Sequence, residues 1–346
     1  MKKYLILLFV CISCLVSAED IKLDYQEDNA AYWYLKSYEA IPKFTESQKK
    51  ALSNIKTLED AKKVCDEEDF DLMHLISGKY IDYLKKAKEI EKCVFFEKYL
   101  CRESKFYYPN GLWFLSNSHK MEAIAWILYC NNNKQKAAYI VLNNLEMIRK
   151  ITKDENYNAV CSALSMEKAF LKQLKAFCDD SQNSRDEIFK NMLMEAVQKQ
   201  ISKPICSFND ILRYNYEYAL NAFSNYEKDY NNIAPLFVSL ARQVKDKGYD
   251  TGTDSIDEIA ATLAKTFMTK NFPKEKQELI DYYNKIINYD YSKPLTYEEA
   301  NKELDFYNLG YSKENALFIR FGEDVWFLYD RIYTPYIEAY NSLFKQ

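Results

Sequence analysis

Apolar residues recur at spacings of three and four along most of this chain, the period of an amphipathic helix. In 137–151 they fall at Ala137, Ala138, Val141, Leu142, Leu145 and Ile148, one stripe of such a helix. Residues 154–177 repeat the pattern with Val160, Ala163, Leu164, Phe170, Leu171, Leu174 and Phe177. The stretch from Met121 to Cys130 is apolar nearly all round, apart from Glu122, and predicts a helix buried between neighbours. Asn131-Asn132-Asn133 then supplies a tight polar turn, and two helices on so short a link pack antiparallel. Ser184-x-x-Glu187 and Thr296-x-x-Glu299 have capping-box spacing, and Pro273 suits the first turn of a helix over 274–288. Ser202-Lys203-Pro204 breaks the pattern after Gln200, and 247–252, with two glycines, reads as a loop. These patterns predict an all-α chain. Its architecture is expected to be an irregular, α-solenoid-like array of stacked antiparallel hairpins, dividing near residue 203 into 19–203 and 204–346 or running on as one array.

The first eighteen residues follow another rule. Lys2 and Lys3 precede the almost wholly apolar Tyr4 to Val16, and Val16-Ser17-Ala18 puts small residues before Glu19-Asp20. This is the pattern of a secretory signal peptide cut after Ala18. The apolar stretch falls short of the about 20 residues that span a bilayer, and no later run approaches that length. The expectation is an exported protein, periplasmic or secreted, with no transmembrane segment in the mature chain. A second processing reading ends the leader at Cys14 behind Ser13, where a lipid anchor would tether the same protein to the envelope. Cys11, where lipoprotein signals usually carry Leu, argues against it.

Composition narrows the function classes. The formal charge is −4, and loss of Lys2 and Lys3 with the leader makes it more negative by two. The remaining charges are mixed in sign along the chain without a basic stripe, so nucleic acid is not an expected partner. Six glycines in 346 residues leave no phosphate-binding loop to be written. Seven cysteines follow Ala18: Cys65, Cys93, Cys101, Cys130, Cys161, Cys178 and Cys206. In an exported chain they can form disulfides, but an odd count leaves at least one unpaired. Cys93 and Cys101, if on one straight helix, sit roughly 12 Å apart, beyond disulfide reach.

The hairpin over 121–151 resembles a tetratricopeptide-type unit, with Ala137 and Ala138 at the close contact, although no strict repeat period follows. The run Asn29-Ala30-Ala31-Tyr32, with Tyr38, Ala40 and Pro42, resembles the start of a group of exported, all-helical bacterial proteins with no established activity. The similarity returns near Cys93, at the apolar helix from Met121 and at the helix with Ala137, covering about residues 28–220. This resemblance implies a helical fold and export, and it brings no functional residues with it.

Candidate chemistry is sparse. Of two histidines, His119 follows Ser116-Asn117-Ser118 and is expected to cap or flank the helix from Met121. Asp71 and His74 share a helical face and could hold a metal, with Asp66, Glu67, Glu68 and Asp69 just before. The simpler reading of that run is an acidic helix start. No Cys-x-x-Cys among the mature cysteines and no His-Glu-x-x-His appears, and no cofactor is expected. The tyrosine load is the remaining clue. Tyr329, Tyr333, Tyr336 and Tyr340 are spaced 4, 3 and 4, and Tyr214 and Tyr218 share a face from which Tyr216 turns away. A concave helical surface lined with tyrosine suits a protein or peptide partner. The competing reading has Tyr replace Leu and Phe in packing, its hydroxyl reaching a polar partner.

Overall fold

The computed structural model describes residues 27–68, 70–71, 75–93, 111–152, 157–183, 186–247, 252–253, 255–304 and 325–344, with the side chains of 111–116 and 158 excepted. Among these the protein is all helical, with fourteen helices and no strand. Ala18, Cys14, His74, Cys101, Ser184 and Gly248 lie outside the described residues.

Helix starts follow local side-chain chemistry. Asn29 opens α1 (Ala30–Glu39), its side chain accepting the Ala31 N–H at 3.1 Å. Capping boxes open α2 (Glu46–Asn54), through Thr45 and Gln48, and α3 (Leu58–Glu67), through Thr57 and Asp60. The Ser77 hydroxyl accepts the Tyr80 N–H at the start of α4 (Gly78–Glu89). The acidic run is therefore not a helix start. Asp66 and Glu67 close α3, because the Thr57 cap and the buried Ala61 and Val64 fix that helix upstream of them. Cys93 lies beyond the end of α4, outside any helix.

α5 (Gly111–Cys130) and α6 (Lys134–Ile151) pack as the expected hairpin. Met121 and all of Ala123 to Tyr129 are buried. Asn132 turns the chain with φ at 60°, a left-handed value that asparagine tolerates, and the Asn133 N–H reaches the Leu128 carbonyl at 2.8 Å. α5 starts ten residues before Met121, so His119 lies inside a helix, exposed, with Nδ1 3.3 Å from Glu122 Oε2. In α7 (Tyr157–Asn183) all seven stripe residues are 1% exposed or less. α8 (Glu187–Gln200) is capped by Asp186, whose Oδ1 accepts the Phe189 N–H.

The described residues form two compact units. Of these, the first draws on those within 27–93, 111–152 and 172–200, and the second on those within 157–171 and 201–344. In the first, α1 packs on α4, α2 and α3 pack on α5, and α6 packs on α5 and α8. A buried polar link joins three of these helices. Tyr38 of α1 donates its hydroxyl to Asn144 Oδ1 of α6 at 3.1 Å, and Asn144 Nδ2 donates to the Tyr80 hydroxyl of α4 at 3.1 Å.

Lys150 of α6 closes the far end of α4. Its ammonium donates to the carbonyls of Ala87, Lys88 and Ile90 at 2.9, 3.0 and 3.1 Å, where the helix leaves acceptors without intrahelical partners. Lys150→Met keeps the stem and removes the cap. The expected cost is about 1–2 kcal/mol, read as a lower urea midpoint at unchanged slope.

The second unit contains α9 (Phe208–Lys228), 3₁₀ turns at Tyr230–Asn232 and Ala234–Phe237, α10 (Val238–Asp246), α11 (Ile256–Lys270) and α12 (Phe272–Ile287). Pro273 sits in the first turn of α12 as expected. α13 opens on the Thr296–Glu299 capping box at Tyr297–Glu299 and continues as a π-helix through Ala300–Leu304. α14 is α-helical over Val325–Phe327, π-helical over Leu328–Tyr333 and α-helical again over Thr334–Phe344. Ala241, Ile259 and Ala260 form a small core between α10 and α11, and α9 packs on α12. No helix among the described residues is long and apolar enough to cross a membrane.

Candidate binding site

The second unit holds a hollow of about 310 Å³ lined by Ser207, Phe208, Asn209, Tyr289, Asp290, Tyr291, Ser292, Tyr329 and Tyr333. Three pieces of chain meet there: the start of α9, the segment after α12, and the π-helical part of α14.

Phe208 is its floor. The Ser207–Asp210 capping box fixes the start of α9 and leaves Phe208 as the first helical residue, 2% exposed. Its ring meets Tyr291 edge-on at 4.8 Å, Tyr329 edge-on at 5.0 Å and Tyr333 at 5.3 Å. The tyrosine hydroxyls tie down backbone that has no helical partner. Tyr291 donates to the Ile286 carbonyl at 2.9 Å, and Tyr329 accepts the Leu295 N–H at 3.3 Å. Tyr333 accepts the Phe208 N–H, one of the donors that a helix start leaves open.

Burial raises the phenols of Tyr291 and Tyr333 above their ordinary value, so both keep their protons at physiological pH. Asp290 differs. The Ser292 N–H at 2.9 Å, with the Ser292 hydroxyl, holds its carboxyl below the usual carboxylate range. The hollow thus offers aromatic rings, neutral hydroxyls and one exposed, ionised carboxylate. These groups suit binding of a ligand that is partly apolar and carries a positive charge.

Of the six tyrosines singled out by spacing, the hollow takes two, Tyr329 and Tyr333, whose rings lie 6.1 Å apart. Tyr336 is fully buried, accepting the Ile205 N–H at 2.7 Å and donating to Glu167 Oε1 at 3.3 Å. Tyr340 is half-buried against Phe344, ring centroids 4.7 Å apart. The stripe divides because the π-helix carries the Thr334 N–H back to the Tyr329 carbonyl, a five-residue span that inserts an extra residue into the turn. Tyr214 and Tyr218 are half-buried on α9 and do not line the hollow, while Tyr216 turns away to stack on Tyr283 at 5.1 Å.

Phe208, Tyr289, Asp290 and Tyr291 belong to neither tyrosine stripe, so helical spacing does not mark them. The Ser207-x-x-Asp210 box and the Asp290-x-Ser292 turn were the local signals available for them. Asp71 is exposed, its carbonyl accepting the Leu75 N–H at 3.1 Å, and its expected partner His74 is outside the described residues. Among the described residues no group of three or more His, Cys, Asp and Glu side chains is placed to hold a metal ion. No protein-family model, curated protein or solved structure matches this chain.

Proposed function

We propose that this protein is an exported helical scaffold acting by non-covalent binding of a protein or peptide partner, and that the tyrosine-lined hollow takes a basic side chain of that partner. The observation carrying this reading is the meeting of Tyr289, Tyr291, Tyr329 and Tyr333 with the Asp290 carboxylate around one hollow. Its volume, about 310 Å³, lies at the lower end of ligand clefts and suits one long side chain. A lysine or arginine would gain cation–π attraction from the rings and an ion pair with Asp290. Irregular, solenoid-like stacking of the hairpins would supply the extended surface for the rest of the partner.

The leader supports export, with cleavage after Ala18; lipidation at Cys14 is the alternative. An intact mass beginning at Glu19 excludes the anchor, and a diacylglycerol adduct on Cys14 excludes cleavage after Ala18.

Binding is tested by panning a random heptapeptide phage library on the full chain. Lys- or Arg-bearing peptides are expected to be enriched. Tyr289→Ala and Asp290→Asn should each weaken the best peptide about tenfold in fluorescence anisotropy. Because Ser292 keeps Asp290 ionised, binding should persist as pH falls from about 7 to about 5, and decline only as pH passes through the lowered carboxyl value. Equal enrichment on the Tyr289→Ala/Asp290→Asn variant would sink the proposal.

A further inference from the structure

Two cysteines far apart in sequence meet in the first unit. Cys65 lies in the last turn of α3, Cys130 is the last residue of α5, and these helices pack together. Asn131, the next residue after Cys130, donates its side-chain amide to Cys65 Sγ at 3.3 Å. Cys130 Sγ lies 3.9 Å from the Leu58 carbonyl at the other end of α3. Each of the two thiols acts on the ionisation of the other. Both residues are half-buried, whereas Cys93 and Cys178 are buried, with Cys178 Sγ against Met194 Sδ at 3.5 Å.

We propose that Cys65 and Cys130 are a dithiol oxidised to a disulfide by a small-molecule or protein disulfide, a covalent bond that ties the end of α3 to the end of α5. The Asn131 amide at Cys65 Sγ places the end of α5 beside Cys65, and side-chain rotation brings the two sulfurs to the bonded separation of about 2.05 Å. Burial raises both thiols, but at Cys65 the Asn131 amide offsets part of that rise, so Cys65 is the attacking thiol of the pair. Its sulfur attacks one sulfur of the oxidant disulfide, displacing a thiolate and leaving a mixed disulfide on Cys65. Cys130 loses its proton and attacks Cys65 Sγ, forming the Cys65–Cys130 bond and expelling the second thiolate. The dithiol loses two electrons and two protons, and the oxidant leaves as two thiols. Burial pushes the Cys130 thiol up to about 12, so resolution of the mixed disulfide is the slower step and quickens as pH rises.

The full-length chain, reduced and folded, is incubated with oxidised glutathione and quenched in acid. Remaining thiols are alkylated, and the protein is digested without reductant. The expected product is a Cys65 peptide linked to a Cys130 peptide, with about 2 Da lost for that bond. In Cys130→Ser the resolving thiol is absent, and Cys65 should stop as its glutathione mixed disulfide. Recovery of both cysteines as alkylated thiols, or of either one linked to another cysteine, overturns the proposal. The peptide map of the unsubstituted chain decides the matter even if Cys130→Ser fails to fold.

Discussion

Asn144→Leu is expected to destabilise the first unit by about 3 kcal/mol. Asn144 is 1% exposed, and its amide joins three helices. It accepts from Tyr38 of α1, donates to Tyr80 of α4, and also donates to the Ile140 carbonyl one turn back in its own helix at 2.8 Å. Leucine fills nearly the same volume, so the loss is one of hydrogen bonding rather than packing. Water cannot replace the amide at Tyr80, which is 1% exposed, and a buried polar group that loses its partner costs about 1–3 kcal/mol. Urea unfolding followed by circular dichroism measures the loss. The double variant Asn144→Leu/Tyr80→Phe separates bonding from shape. Once the Tyr80 hydroxyl is gone, part of the penalty disappears, and the two substitutions should fall short of additivity by about 1–2 kcal/mol. Strict additivity would mean that the amide contributes nothing specific at this junction.

Such a junction shows what the sequence carried and what it did not. The helices were legible because burial repeats at helical spacing: Val141, Leu145 and Ile148 in α6, and Phe170, Leu174 and Phe177 in α7, are all fully buried. Capping at Thr296 and the proline at the start of α12 were legible for the same reason, since their cause lies within four residues. Asn144 broke no rule of the stripe because its meaning lies in Tyr38 and Tyr80, 106 and 64 residues away. The early start of α5 was hidden because Asn117 and Ser118 are polar yet buried, so apolar periodicity stopped short of the helix. The acidic run from Asp66 ends a helix instead of starting one, because the start signal is the capping box of Thr57 and Asp60 nine residues upstream.

The site was legible only by half. Tyr329 and Tyr333 were found by spacing, but Phe208 and Tyr291 come to them from other helix ends, and no local period announces a tertiary meeting. The π-helix at Leu328–Tyr333 also broke the assumption behind the 4-3-4 count, which holds only for an uninterrupted α-helix.

Tyr336→Phe and Tyr289→Ala should therefore separate the two jobs that tyrosine does in the second unit. Tyr336 is enclosed, and its hydroxyl is shared between the Ile205 N–H just before α9 and the fully buried carboxylate of Glu167. Phenylalanine keeps the ring and removes a hydrogen bond to a charged or ionisable group, a loss of about 2 kcal/mol. Tyr336→Ala removes the ring as well and should cost about 4 kcal/mol, through the cavity left by a fully buried side chain. Tyr289 is half-buried, and its ring meets Tyr291 at 5.0 Å on the rim of the hollow. Its truncation should leave the unfolding free energy within about 0.5 kcal/mol of the unsubstituted protein and act on peptide affinity instead. A stable Tyr336→Phe, or a Tyr289→Ala that unfolds while Tyr336→Phe does not, reverses the assignment and moves the working surface of the second unit to the Tyr336 side of α14.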